Sequence, residues 1–106
     1  MRILNYTPHT VNVFTDSREV RSFASMGSAR CTEETIITRN IDGIDISQTT
    51  LGEVEGLPDP QPNTMYIVSR LILVACRGIR NDLLVPNEII RDVKGNIIGC
   101  KSLASN

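Results

Sequence analysis

A cluster of arginines carries the most suggestive chemistry in this 106-residue chain. Arg70, Arg77 and Arg80 fall close together, Asp82 follows, and Arg91 lies further on. A planar guanidinium suits bidentate recognition of phosphate. The competing reading is an ordinary surface pair, for example Arg80 with Asp82. His9 is the single histidine and sits in Thr7-Pro8-His9-Thr10, where a proline-fixed turn can hold an imidazole toward a ligand. It can equally hydrogen-bond a neighbouring carbonyl and lock the bend. Ser69 precedes an apolar stretch, and as a helix N-cap it would stand beside amide donors for an anion. Thr7, His9, Thr10, Ser69, Arg70, Arg77, Arg80 and Asp82 are therefore the candidate ligand-binding groups. They form a site only if the fold brings them together, within one chain or across a subunit boundary.

Catalytic constellations are weaker. No serine lies in a G-x-S-x-G setting, and a cysteine nucleophile would have to recruit His9 from far away in sequence. Glu53 and Glu55 are two apart, so on a strand they would share a face. Such a pair could act as acid and base or hold Mg²⁺, although a solvated strand face is the commoner use. Asp42 and Asp45 could join them in a cluster, but Asp42 is better explained by a turn. The stretch Gly52-Glu53-Val54-Glu55-Gly56 lacks the lysine of a phosphate loop, and its acids would repel phosphate. Cys31, Cys76 and Cys100 have no C-x-x-C pairing, which predicts three reduced, mostly buried thiols. With one histidine, metal sites built on several are excluded. The expectation is a non-enzymatic protein with no metal and no cofactor.

These groups need a scaffold, and the composition bounds it. One domain spanning 1–106 is expected, too short for two cores. Hydrophobic residues make up 41% and charged residues 22%, the balance of a globular chain and not of a disordered or membrane one. A formal net charge of −1 with dispersed signs argues against DNA or RNA binding, which needs a basic face. The first residues lack a basic region followed by an apolar stretch, so a cytoplasmic location is expected. Tyr6, Phe14, Phe23 and Tyr66 are the only aromatics, so the core must rest on Ile, Leu and Val. Either tyrosine could stack on a base, though a half-buried strand position is the commoner role.

Strands are expected at 3–7, 11–14, 19–23 and 29–38, with Pro8 forcing a bend. Asp42-Gly43 is the strongest hairpin signal, between 36–41 and 44–47, and suits a type I′ turn. Residues 51–54 extend the return strand, and the proline-rich stretch 56–63 reads as an extended surface loop. A strand at 64–68 follows. The apolar stretch 69–77 has two readings. Ser69 as N-cap and Gly78 as stop favour a helix, while apolar residues on every side would also suit a central strand. Short strands at 83–85, 88–92 and 96–101, with a turn at Lys94-Gly95, complete the chain. The predicted fold class is α+β and β-dominated. It is a small twisted antiparallel sheet or partly closed barrel of six to eight short strands with about one buried helix.

Three phrases add a biological setting. They are Leu4-Asn5-Tyr6-Thr7-Pro8-His9-Thr10-Val11-Asn12-Val13, then Gly52-Glu53-Val54-Glu55-Gly56-Leu57-Pro58 running on to Tyr66-Ile67-Val68-Ser69, and Asp82-Leu83-Leu84-Val85-Pro86 with Ile97-Ile98-Gly99-Cys100-Lys101. In that order the chain resembles a family of short proteins carried by bacteriophages and prophages. The resemblance spans nearly the whole chain and brings no catalytic residue set. It implies a phage-type binding protein acting in the host cell against its defences, with sequestration of an immune signalling nucleotide as the specific expectation. A cyclic nucleotide or an ADP-ribose derivative would be such a ligand, and a homo-oligomer such a trap. Alternatives are an inhibitor or adaptor docking on a host defence protein, a small metal-dependent hydrolase, and a virion or assembly component.

Overall fold

The computed structural model describes residues 1–105. Six strands form one sheet: β1 (Arg2–Asn5), β2 (Val11–Phe14), β3 (Val20–Phe23), β6 (Thr64–Ile67), β7 (Leu83–Arg91) and β8 (Ile97–Ser105). Their order is β1-β6-β7-β8-β2-β3. The two ends of that order meet: Asn5 bridges to Ser25, and the Met26 amide donates to the Asn5 carbonyl at 2.8 Å. The sheet is therefore nearly a closed barrel, which leaves few open edges. Of the two forms expected, the partly closed barrel is the one realised.

The sheet of this barrel is mixed: β2 with β3 and β7 with β8 run antiparallel. β1 with β6, β6 with β7, and β2 with β8 run parallel. Parallel neighbours need long crossovers. One is supplied by α1 (Arg70–Ala75), which leads from β6 to β7. The helical reading of 69–77 holds over those six residues, with Ser69 as N-cap accepting from the Ile72 amide at 3.4 Å. Its own Ile72 and Leu73 are buried. They join Tyr66, Val68, Cys76, Leu83 and Val85 in the core, with Leu4, Tyr6, Cys31, Val54 and Leu57 packed around.

β7 runs unbroken through Pro86, where two strands were expected. β6 pairs with Leu83 and Leu84, so Pro86 lies past that ladder, while β8 runs beside it with Leu103 in register. The remaining strands, β4 (Arg30–Ile41) and β5 (Ile44–Glu55), form a separate two-stranded ribbon. The expected Asp42-Gly43 turn joins them, with φ of 52° and 84°, the two positive values a type I′ turn needs. Each strand has 12 residues, and only the base packs on the core, through Cys31 and Val54. The ribbon projects as an arm. It raises the radius of gyration to 16.7 Å, against about 13 Å for a compact chain of this length. No helix among the described residues is long and apolar enough to cross a membrane.

Candidate functional site

The Thr7–Thr10 turn is tied down from beneath by Asn5, which is 1% exposed. The Asn5 side-chain amide donates to the carbonyls of His9 at 2.7 Å and Phe23 at 2.8 Å. Its Oδ1 accepts the Thr7 amide at 2.9 Å. The Thr7 hydroxyl lies 2.7 Å from that same oxygen and 2.9 Å from the His9 carbonyl, with one proton to give to either. Thr7 is thus a brace of the turn. The His9 carbonyl, not its imidazole, is what the chain grips; the ring stands on the exposed surface beside the exposed Thr10. Sequence reading passed over Asn5, although an Asn two residues before a Thr is the usual signal of a side chain closing its own turn.

A second cluster surrounds Tyr66. The Arg80 guanidinium makes a two-pronged pair with Asp82, Nε to Oδ1 at 2.9 Å and Nη2 to Oδ2 at 2.8 Å. Nη2 also donates to the Pro58 carbonyl at 2.9 Å. The same guanidinium lies 5.8 Å from the centre of the Tyr66 ring, and the Tyr66 hydroxyl donates to the Asp59 carbonyl at 3.2 Å. Tyr6 meets Tyr66 edge to face at 5.6 Å. Hydrogen bonding to Arg80 holds the Asp82 carboxyl below its ordinary value, and hydrogen bonding to Asp82 raises the Arg80 pKa. The pairing weighed from sequence is present, and it anchors the proline-rich loop as well.

Beside this clamp a cleft of about 420 Å³ opens between the arm base, the loop after β5 and the end of α1. Val54, Leu57, Ala75 and Ile79 give it apolar walls, and Glu53, Asp59 and Arg80 set charges around it. That volume lies in the range of sites for small organic ligands. Its carboxylates can accept hydrogen bonds from hydroxyls or amino groups of a ligand, and its walls can cover a flat ring.

The candidate groups do not converge within one chain. Thr7, His9, Thr10, Ser69 and Arg70 leave the same end of the parallel pair β1–β6, where Asn5 is opposite Ile67. Arg77, Arg80 and Asp82 lie beyond the far end of α1, and the Asp82 carbonyl accepts the Tyr66 amide. Arg70 and Arg77 are exposed. α1 is six residues long, too short to focus an anion at its start, and Ser69 itself takes the Ile72 amide. Glu53 and Glu55 do line one hollow with Arg30, but Asp42 and Asp45 are at the distant arm tip. Asp45 there accepts from Asn40 at 2.9 Å. Among the described residues, no three His, Cys, Asp or Glu side chains gather into a metal-binding group.

Cys76 and Cys100 are buried and Cys31 half-buried, all as free thiols. Burial pushes the Cys76 and Cys100 thiols above the ordinary value. No family model matches the chain, and neither a curated protein nor a solved structure does.

Proposed function

We propose that this chain is a binding protein that captures a nucleotide-type ligand, in the manner expected of a phage-type counter-defence protein. The observation that carries this reading is the cleft beside the Tyr66–Arg80–Asp82 clamp, about 420 Å³ in volume. It combines apolar walls for a ring with carboxylates placed to accept from ribose hydroxyls or base amino groups. The clamp keeps one wall rigid, so little order is lost when a ligand enters. The exposed Arg77 just beyond α1 supplies positive charge to a phosphate outside the cleft.

Calorimetry against cyclic nucleotides and ADP-ribose derivatives tests the reading, together with heat release of an ultraviolet-absorbing molecule from protein purified out of defence-active cells. Ala75→Trp, which fills the cleft, is expected to abolish binding, and Arg77→Ala to weaken it roughly tenfold. Binding that ignores Ala75→Trp would place the ligand elsewhere. No binding by the parent to any nucleotide would hand the function to the inhibitor or adaptor reading.

A further inference from the structure

Every residue from 32 to 45 is exposed, so the outer part of the β4–β5 arm rests on nothing within its own chain. A lone two-stranded ribbon is marginal in water unless one face is covered. The two faces differ in kind. The pairs Glu34↔Thr50, Ile36↔Gln48, Arg39↔Ile46 and Ile41↔Ile44 share one face, because opposed residues and alternate positions point the same way. That face holds four isoleucines, with Ile36 49%, Ile41 46% and Ile44 64% exposed. The other face is mostly polar, with Ile37 its one exposed isoleucine: the Thr35 and Thr49 hydroxyls are 3.0 Å apart, and Asn40 donates to Asp45 at 2.9 Å.

The charges on the isoleucine face have a symmetry. Glu34 stands opposite Thr50 and Arg39 opposite Ile46, each two β5 positions from Gln48. An irregularity between Ile37 and Arg39 absorbs the odd residue and sets Arg39 on this face. Neither charge is in an ion pair among the described residues, where the pair found is Arg80 with Asp82. Turned end for end about an axis through Ile36 and Gln48, the face presents Glu34 to Arg39 twice over. The same turn sets Ile44, at the tip, against Gly52 at the base, four β5 positions on the other side of Gln48.

We propose that this face of the arm is the docking surface for a second copy of the chain, the two arms packing face to face and antiparallel about that two-fold axis. An interface between identical copies must be complementary to itself, and a centre of Ile36 and Gln48 flanked by equidistant opposite charges meets that condition. A foreign partner would impose no such symmetry. Face-to-face packing of two ribbons also converts each marginal hairpin into half of a small sandwich that covers its isoleucines. Because Gly52 borders the cleft beside Arg80, the partner's Ile44 reaches the rim of that cleft.

Light scattering and sedimentation on the full chain test this. A mass of twice 11.7 kDa is expected at micromolar concentration. Ile36→Lys, which sets two ammonium groups face to face on the axis, is expected to leave monomers. Ile37→Lys, exposed on the opposite face, is expected to remain dimeric. Glu34→Arg and Arg39→Glu alone should each raise the dissociation constant by roughly a hundredfold, through like charges in contact. The two changes together exchange the charges and should restore the dimer, which a folding defect could not do. A monomeric parent overturns the proposal. So does a dimer indifferent to Ile36→Lys, a charge exchange that fails to restore association, or a parent monomer that uses this face for a foreign protein.

Discussion

The side-chain amide of Asn5 grips the main-chain carbonyl of His9 at 2.7 Å, and through it the whole Thr7–Thr10 turn. The same amide reaches the Phe23 carbonyl, so one buried side chain sews β1 to β3 where the sheet closes on itself. The conspicuous Pro-His turn is therefore held by a residue that precedes it.

Asn5→Leu keeps the volume and removes the polar partners. The Phe23 carbonyl and the Thr7 amide would lose their partner, at about 1–3 kcal/mol for each group that water cannot reach, while the His9 carbonyl keeps the Thr7 hydroxyl as donor. A loss above about 3 kcal/mol in urea denaturation is expected, with hydrogen exchange rising first in the turn. His9→Ala, which leaves the carbonyl in place, should cost little. A large loss on His9→Ala would show that the imidazole holds the turn after all.

The Arg80–Asp82 pair predicts an acid-sensitive contribution. The paired Asp82 carboxyl is held below its ordinary value, so its stabilisation is complete above about pH 4 and fades as pH falls through its lower folded-state value. Asp82→Asn should lower stability by about 1.5–3 kcal/mol at pH 7 and by progressively less as pH falls below about 4. Parallel denaturation curves for parent and variant across that range decide it. A difference that survives at low pH would assign the loss to packing.

The same geometry separates two arginines that look alike in sequence. Arg80→Ala strips the partner from a carboxylate whose side chain is 13% exposed and releases the Pro58 carbonyl. Arg70 is exposed at the start of α1. Its replacement should leave the melting temperature unchanged, whereas Arg80→Ala should lower it by several degrees.

The thiols should label in order of access. Burial raises the Cys76 and Cys100 thiols, so little thiolate forms there at neutral pH, while Cys31 is half-buried. Iodoacetamide with mass spectrometry is expected to modify Cys31 first, and the other two only on unfolding. Rapid modification of Cys100 in the folded chain would contradict this assignment.

Gly99 marks a close crossing of strands. A Cβ there would lie 2.7 Å from the Asn12 carbonyl oxygen and against the Phe14 ring. Gly99→Ala should therefore cost about 1–3 kcal/mol by overpacking the β2–β8 contact. An unchanged midpoint in urea would mean that the two strands can part without loss.

What the chain carries locally could be read from it directly. The Asp42-Gly43 turn, the Ser69 cap, the bend at Pro8 and most strand positions depend on neighbours a few residues away. The β-dominated class and the single short helix followed from those signals. Hidden from sequence was everything that joins distant segments. Alternation of apolar residues says which face of a strand is buried, but not which strand lies beside it. That is why the parallel pairs β1–β6, β6–β7 and β2–β8 and the near-closure at Asn5 and Ser25 emerged only in three dimensions. The arm was legible as two strands and a turn, yet its isolation was not, because its isoleucines read as core. The candidate site divided for the same reason. α1 carries the chain from Arg70 at one end to Arg77 and Arg80 past the other, and only the folded path places Arg80 over Tyr66 and against Pro58.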